Sequence, residues 1–416
     1  TSKEWGGVAM LQAPYAATLM NTMKKLERRD MDSVRFWRIM ESCSLLVAQG
    51  SASLSPKHLS LSLNALKDSP PLRNATSQLF TASLLRIKHL VSSRSFKDFP
   101  PQTIAMLANA YTTRHIKLPA RDKACRQASE AMALLVKPCL SIPPEEFPLQ
   151  STAMLASSLA RLEEPNTRAM RHLALASLAS PSRDFSPKGV AALLHAEYLV
   201  GGGGDGQLIE RLCQELGDIP AQRQSGPTLA LSALTLSRLN LYPSSLWDRL
   251  AASASLLPIH SFDSQSVVDA TRAFLAAGKL SPELGDRLCR AACEVEGGKS
   301  LTFVLQALLQ SSCLSSSPRP SLPPSSLSAC LTSVSKSLSF LSIDALSLSV
   351  HTAVAFHVTG SIASNSLSSL IESLALQVLN RLSSGSTIHL KTLVSLLRNF
   401  SKLRRHQGSL SSPSFG

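Results

Sequence analysis

Apolar residues recur at helical spacing along this chain, and the pattern itself repeats. Three segments share one opening: FPPQTIAMLANAY from Phe99, FPLQSTAMLASSLARL from Phe147 and FSPKGVAALLHAEYL from Phe185. In each, proline follows within two residues, alanine lies six residues after the phenylalanine and leucine lies eight after it. Proline is favoured at the first helical position, and apolar residues at this spacing line one side of a helix. The pattern therefore predicts a helix after each phenylalanine.

Weaker copies of the opening continue on both sides of these three. They lie at Ser55–Leu66, Gln224, Phe262, Leu301, Phe340 and around Thr387. From Phe147 to Phe262 the starts are 38 or 39 residues apart, and a second, more polar helical segment such as Thr167–Ala179 fills each interval. A single hairpin cannot bury its apolar face alone, so neighbouring hairpins must stack. The sequence predicts an all-α fold, an α-solenoid of stacked helical hairpins with a period of about 38 residues. The recurring phenylalanine is predicted to fill the seam between hairpins.

Proline, glycine and serine mark the predicted boundaries. We predict an N-terminal helical extension (1–50), a helical-repeat array (51–310), a Ser/Pro-rich loop (311–326), C-terminal helical repeats (327–407) and a Ser-rich tail (408–416). The run Gly201–Gly206 is predicted to be a flexible joint between the two helices of one unit.

Composition supports a helical core. Hydrophobic residues make up 44% of the chain but aromatic residues only 5%, so leucine, alanine and valine must supply the core. This composition favours close helix packing over sheets. No apolar run approaches the roughly 20 residues that span a bilayer, so no membrane insertion is expected. The eight cysteines are scattered between apolar neighbours, which indicates buried free thiols in a reducing compartment.

The motifs that would indicate catalysis or metal binding are incomplete. Gly297–Ser300 resembles the end of a phosphate-binding loop, but Cys293 occupies the place of the required upstream glycine. Cys289 and Cys293 could share a helix face, yet no further zinc ligand lies at a suitable spacing. Neither an HExxH nor a GxSxG motif occurs. We expect no enzyme activity, no cofactor, no metal and no small-molecule substrate.

The net charge of +14 is unevenly distributed. Residues 1–130 carry 19 Lys/Arg and 9 Asp/Glu, residues 131–385 carry 18 and 19, and residues 386–416 carry 5 and none. A basic excess predicts an anionic partner, with nucleic acid the first candidate. We expect the basic ends to contact RNA and the near-neutral middle to contact neighbouring proteins of a large complex.

The candidate RNA-binding residues are clustered lysines and arginines. They are Lys24, Lys25, Arg28, Arg29, Arg114, Lys117, Arg121, Lys123, Arg126, Arg161, Arg168, Arg171, Lys391, Arg398, Lys402, Arg404 and Arg405. Each cluster could instead be a solvated polar face, although the C-terminal cluster has no acidic residue nearby. Sparse aromatics disfavour base stacking and favour backbone and shape recognition of structured RNA. We expect alanine replacement of the last four to weaken RNA association and flatten its salt dependence.

The Phe-Pro opening, the alanine and leucine positions and the period resemble a known family. They are similar to the heptatricopeptide-type and octotricopeptide-type helical repeats of FAST-kinase-like and RAP-domain organellar proteins, clearly over residues 99–200 and loosely elsewhere. The resemblance implies organellar RNA binding and a mitochondrial matrix location. In apicomplexan parasites, such proteins include parts of mitochondrial ribosomes with fragmented rRNA. The chain ends in a helical pattern and a serine tail, so neither a RAP domain nor its suspected nuclease activity is expected.

These observations together predict a non-catalytic RNA-binding structural component of a mitochondrial ribonucleoprotein, in first place the mitochondrial ribosome. One alternative is an organellar RNA stability or processing factor of the same fold. Another is a protein scaffold of the HEAT or tetratricopeptide kind in a large organellar complex.

Overall fold

A computed structural model of the protein describes eight main segments and a few isolated positions. These are residues 12–26, 33–67, 73–94, 96–117, 123–162, 165–201, 205–294 and 364–383, with 347, 349, 350, 392, 394–399 and 401. Within them the regular structure is helical, and no strand occurs. The predicted all-α class is confirmed. The predicted segments 311–326 and 408–416 and the repeat openings at Leu301, Phe340 and Thr387 lie outside the described residues.

The longer α-helices of the described residues are numbered here in chain order. They are α1 Ala13–Leu26, α2 Ser33–Gln49, α3 Pro56–Leu66, α4 Arg73–Ser92, α5 Pro101–Lys117, α6 Lys123–Ser141, α7 Leu149–Ala160, α8 Thr167–Ala179, α9 Pro187–Leu199, α10 Gly206–Asp218, α11 Gly226–Arg238, α12 Ser244–Leu256, α13 Ser264–Ala276, α14 Pro282–Glu294 and α15 Ser364–Ser383. Short 3₁₀ turns precede six of them, at Ser51–Ser53, Phe96–Asp98, Pro144–Glu146, Ser182–Asp184, Ala221–Arg223 and Ile259–Ser261.

The helices pack in two layers within each of two compact units, residues 1–215 and 216–416. In the first unit α1, α3, α5, α7 and α9 pack side by side in chain order, and α2, α4, α6 and α8 do the same. In the second unit α11 packs on α13, and α12 on α14. The two helices of a hairpin also contact each other, as α5 and α6 do. Alternate helices therefore form a first layer and a second layer, as stacked hairpins of an α-solenoid require.

One buried side chain links each 3₁₀ turn to the first-layer helix that follows. These side chains, called repeat-start residues below, are Leu54, Phe99, Phe147, Phe185, Gln224 and Phe262, and each is at most 8% exposed. The Phe147 ring packs edge-on against His172 of α8, with 5.8 Å between ring centroids. Gln224 holds the phenylalanine place and donates a hydrogen bond to the Ile219 carbonyl at 3.5 Å. The phenylalanines are buried, and Gln224 occupies the place predicted for it; that the phenylalanines fill the seam between hairpins stays a prediction.

Helix starts follow local rules. Pro56, Pro101 and Pro187 lie in the first turn of α3, α5 and α9, where no intrahelical N–H is needed. Ser186 caps α9 by accepting from the Gly189 N–H at 3.1 Å. Asp263 and Ser266 form a reciprocal capping box at the start of α13. These signals fix where each first-layer helix begins.

Small residues bring neighbouring repeats close together. The recurring Ala105, Ala153 and Ala191 are all buried. Gly226, at the start of α11, is tighter still, because a Cβ there would lie 2.6 Å from the Ser261 carbonyl oxygen and 2.9 Å from the Phe262 Cα. The first helix of one repeat thus lies against the starting turn of the next repeat.

Two further features concern helix continuity and the membrane. Pro138 lies inside α6, a position the sequence analysis did not single out. Gly201, in the predicted joint, adopts a left-handed φ of 79° directly after α9.

In the part of the chain that the structure describes, no helix combines the length and apolarity that crossing a bilayer requires.

Candidate nucleic-acid interface

One face of the first-layer helices of residues 1–215 is solvent-accessible, and its side chains fall at fixed places in the repeat. They lie three, seven, ten and fourteen residues after the repeat-start residue, which is one helix face. We call this set the first-layer ribbon: Lys57, Leu61, Asn64, Gln102, Met106, Asn109, Thr113, Gln150, Met154, Ser157, Arg161, Lys188, Ala192, His195 and Leu199. All are exposed or half-buried, whereas their helices bury most other positions. The face combines polar columns with one apolar column.

The fifteen described positions of the first-layer ribbon contain no carboxylate; the fourteenth residue after Leu54 is Asp68, which lies outside the described residues. Helices α3, α5 and α7 have no aspartate or glutamate at all, and the one glutamate of α9, Glu197, is 5% exposed. The charges of Lys57, Arg161 and Lys188 therefore act without an opposite charge within the ribbon. Amides and hydroxyls supply further donors, because the tenth position carries Asn64, Asn109, Ser157 or His195 in successive helices. Such a surface can contact anionic and hydrogen-bonding groups of a long polymer.

Second-layer helices carry cations with a different role. The residue thirteen positions before the repeat-start residue is Arg86, His172, Arg211 or Arg249 in four repeats, and Arg287 continues the 38-residue spacing. We call these five the clamp residues. Each reaches a group about thirty residues earlier, near the end of the preceding second-layer helix.

The contacts of His172, Arg249 and Arg287 satisfy carbonyl groups at helix ends, whereas Arg86 and Arg211 reach groups in the turn that follows the helix. Arg86 Nε donates to the Leu54 carbonyl at 3.1 Å, and His172 Nε2 donates to the Ile142 carbonyl at 2.9 Å. Arg249 Nη1 donates to the Gly217 carbonyl at 3.0 Å, and Arg287 donates to the Leu257 carbonyl. Arg211 donates to Ser182 Oγ at 2.6 Å. A cation at a helix C-terminus also interacts favourably with the helix dipole. The clamp residues therefore join successive hairpins.

Sequence reasoning missed the clamp residues, although a signal for them was present. A basic residue recurs 39, 38 and 38 residues apart from His172 to Arg287, the same interval as the apolar opening. Isolated lysines were missed as well. Lys57 and Lys188 of the first-layer ribbon stand alone in the sequence, and only the packing of α3 and α9 places them on one face.

The predicted RNA-binding residues are distributed over several surfaces. Arg161 belongs to the first-layer ribbon, and Lys24 is half-buried on α1. The half-buried Arg114 guanidinium lies over the Phe80 ring, 4.5 Å from its centroid, which is a cation–π contact. Arg126, Arg168 and Arg171 are exposed on the second-layer helices α6 and α8, and Arg398 is exposed within 394–399. The structure therefore does not bring Arg114 and Arg161 onto one surface.

The remaining predicted residues lie outside the described part of the chain or in helices whose side chains are not described there. Arg28, Arg29, Arg121, Lys391, Lys402, Arg404 and Arg405 lie outside the described residues. The backbone at Lys25, Lys117 and Lys123 is helical, but nothing is described of these side chains.

The chemistry of the buried groups favours structure over reactivity. Burial raises the pKa of the Cys139 thiol to about 12, and burial together with nearby Glu210 raises that of Cys213 to about 11. A protonated thiol is a poor nucleophile and a poor metal ligand. Among the described residues, no group of three or more His, Cys, Asp and Glu side chains is arranged to hold a metal ion.

Comparisons with known proteins add little to this description. No family model matches the sequence, and no curated protein matches it. Among solved structures, the chain is similar to a circular tandem repeat protein with novel repeat topology and enhanced subunit contact surfaces. The identity is 12% and the TM-score 0.22, over 95% of this chain and 97% of that chain. Because this TM-score is low, the assignment to helical-repeat proteins rests on the order and packing of the helices described above.

Proposed function

We propose that this protein is a non-catalytic RNA-binding component of a mitochondrial ribonucleoprotein, in first place the ribosome, and that RNA lies along the first-layer ribbon. The observation that carries the proposal is the absence of carboxylates from that ribbon in the described helices α3, α5, α7 and α9. At the described positions of the ribbon, a phosphate backbone would meet no opposing charge.

The ribbon offers two kinds of contact to RNA. Lys57, Arg161 and Lys188 would neutralise phosphates, which gives affinity without sequence preference. Asn64 and Asn109 would hydrogen-bond to base edges or 2′-hydroxyls. The family resemblance of residues 99–200 supports the mitochondrial location and the ribosome, and the basic C-terminal cluster around Arg398 would supply a separate contact with RNA.

The charge-dependent part of binding is tested by the triple variant Lys57→Ala, Arg161→Ala, Lys188→Ala. Affinity for a structured rRNA fragment is measured across a salt series. Loss of three phosphate contacts should reduce the slope of log affinity against log salt by about 2 to 3. The matched control is Lys97→Ala, Lys137→Ala, Arg183→Ala, which removes three exposed cations outside the ribbon. Equal losses in both variants would show that net charge alone matters and would contradict the ribbon assignment.

The biological assembly is tested by sedimentation of the tagged protein from mitochondrial extract, with and without RNase, followed by sequencing of the bound RNA. Co-migration with rRNA in a ribosome-sized, RNase-sensitive particle supports the proposal. A small RNase-sensitive complex with one mRNA or precursor would favour a processing factor instead.

A protein scaffold is the second candidate, because large apolar side chains are exposed on second-layer helices. Leu85 of α4 is 64% exposed, Leu175 of α8 is 50% exposed and Leu256 of α12 is 69% exposed. Exposed leucines on this layer suit contacts with neighbouring proteins. An assembly that survives RNase and contains no RNA would favour this function over RNA binding.

A further inference from the structure

A cleft between α8, the end of α9 and the start of α10 contains a buried carboxylate. Its volume is about 330 Å³, and its lining consists of Thr167, Met170, Arg171, Ala174, Glu197, Val200 and Asp205. A single water occupies roughly 30 Å³ of liquid, so the cleft has room for a side chain of a partner molecule. All of the lining residues belong to the first compact unit.

Glu197 is the unusual member of this lining. It is 5% exposed, on a helix whose other buried positions are apolar or glycine. Its Oε2 accepts one hydrogen bond from the Asp205 backbone N–H at 3.0 Å, and no second donor to its carboxylate occurs among the described residues. Burial raises the pKa of Glu197, and the nearby Asp205 charge acts in the same direction, whereas the hydrogen bond lowers it. Among the described residues this carboxylate thus has one donor, and its other oxygen can accept from a ligand.

The other charged groups of the cleft restrict what can bind Glu197. The Asp205 carboxylate is already engaged, since its Oδ1 accepts from the Gln207 and Leu208 N–H groups at 3.0 and 3.3 Å as the cap of α10. Arg171 is exposed and carries the one positive charge of the lining. Met170, Ala174 and Val200 form an apolar wall. A complementary ligand therefore has a cationic head for Glu197, an apolar stem and an acceptor for Arg171.

We propose that this cleft receives an arginine side chain of a partner protein. The guanidinium would donate to Glu197, the methylene stem would pack on Met170 and Val200, and the backbone carbonyl of the same arginine would accept from Arg171. The cleft is then a protein-docking site, separate from the first-layer ribbon and independent of RNA binding.

The test is a methyl-NMR titration of the whole protein labelled at its methionine methyl groups. The probe is N-acetyl-arginine amide, and its neutral isostere N-acetyl-citrulline amide is the control ligand. The arginine compound should shift the Met170 methyl resonance saturably in the millimolar range. It should leave Met106 and Met154 of the ribbon unchanged. The citrulline compound should bind about tenfold more weakly, because a charge-assisted hydrogen bond to Glu197 is lost.

Two variants make the proposal falsifiable. Glu197→Gln retains the shape and the acceptor for Asp205 but removes the charge, so it should abolish the preference for arginine over citrulline. If Glu197→Gln does not fold, Ala174→Met serves as the second variant. It fills the cleft and should remove binding of both compounds. The absence of a saturable Met170 shift, or equal binding of the two compounds, would overturn the proposal. RNA affinity should be the same in Glu197→Gln and in the original protein, so this result and that of the ribbon test are independent.

Discussion

The two helix layers of this protein use their basic residues in opposite ways. In the first layer of residues 1–215, Lys57, Arg161 and Lys188 point away from the core, on a face without carboxylates. In the second layer, Arg86 and Arg249 reach back to carbonyl groups of the preceding repeat. Similar residue types thus face solvent in one layer and contact the protein itself in the other.

This difference changes how the net charge of +14 is interpreted. Arginines that cap helix ends add to the total charge but are committed to the fold. A count of Lys and Arg along the sequence therefore overestimates the surface available to an anionic partner. The location of carboxylates is a better guide to the surface available to an anionic partner, because a carboxylate beside a lysine cancels the attraction of that lysine for phosphate.

The largest expected effect comes from the buried repeat-start residues, which lie between the two layers of a hairpin. Phe147→Ala removes a ring that packs against His172, and it should lower the free energy of unfolding by about 3–5 kcal/mol. Urea unfolding monitored by circular dichroism measures this change. Phe147→Leu, which keeps much of the buried volume, should lose less than half as much. If Phe147→Ala lowers the free energy of unfolding by less than about 1 kcal/mol, Phe147 is not part of a packed core.

The next effect tests how closely consecutive repeats approach. Gly226→Ala forces a Cβ against the Ser261 carbonyl and should cost about 1–3 kcal/mol. Gly206→Ala is the control, because a Cβ there has no neighbour within 4 Å and should change stability by about 0.5 kcal/mol or less. Thermal unfolding of the two variants side by side decides the point. Equal stabilities would contradict a close contact in the first layer.

The comparison between layers is tested directly by one clamp residue and one ribbon residue. Arg86→Met leaves the Leu54 carbonyl without its donor and should cost about 1–2 kcal/mol of stability, with unchanged RNA affinity per folded molecule. Lys57→Met should leave stability within about 0.5 kcal/mol and reduce RNA affinity. Chemical unfolding and RNA titration are measured for both variants. The same response in both would remove the distinction drawn between the layers.

The smallest effect concerns the one buried carboxylate of the described first-layer helices α3 to α9. Because the pKa of Glu197 is raised in the folded state, the folded protein binds its proton more tightly than the unfolded chain does. Stability should therefore fall as pH rises from the ordinary glutamate value of 4.5 through the raised value. Glu197→Gln should flatten this part of the pH profile, whereas the exposed Glu210→Gln should not. Parallel profiles for all three proteins would contradict the assignment.

Much of the fold could be predicted from the sequence, because its signals are local. The Phe99, Phe147 and Phe185 openings combine a turn, a proline and an apolar stripe within a few residues, and the helices begin where these signals indicate. Even Gln224 was aligned correctly, since the period is kept when the residue type is not. The candidate site was predicted less well. Only Arg161 of the predicted residues lies in the first-layer ribbon among those described, and Arg114 lies over the Phe80 ring.

The sequence by itself determined the helical class, the period near 38 residues and the buried repeat-start residues, because each depends on spacing within a single repeat. The tertiary structure alone decided how the accessible faces of successive helices align with one another. Asn64 and Asn109 are 45 positions apart, and they come to lie on one face only after α3 and α5 have packed side by side. The clamp contacts of about thirty residues' separation have the same origin, since they form between one hairpin and the next. Side-chain direction across a packed interface is a long-range property, and no local pattern of residues encodes it.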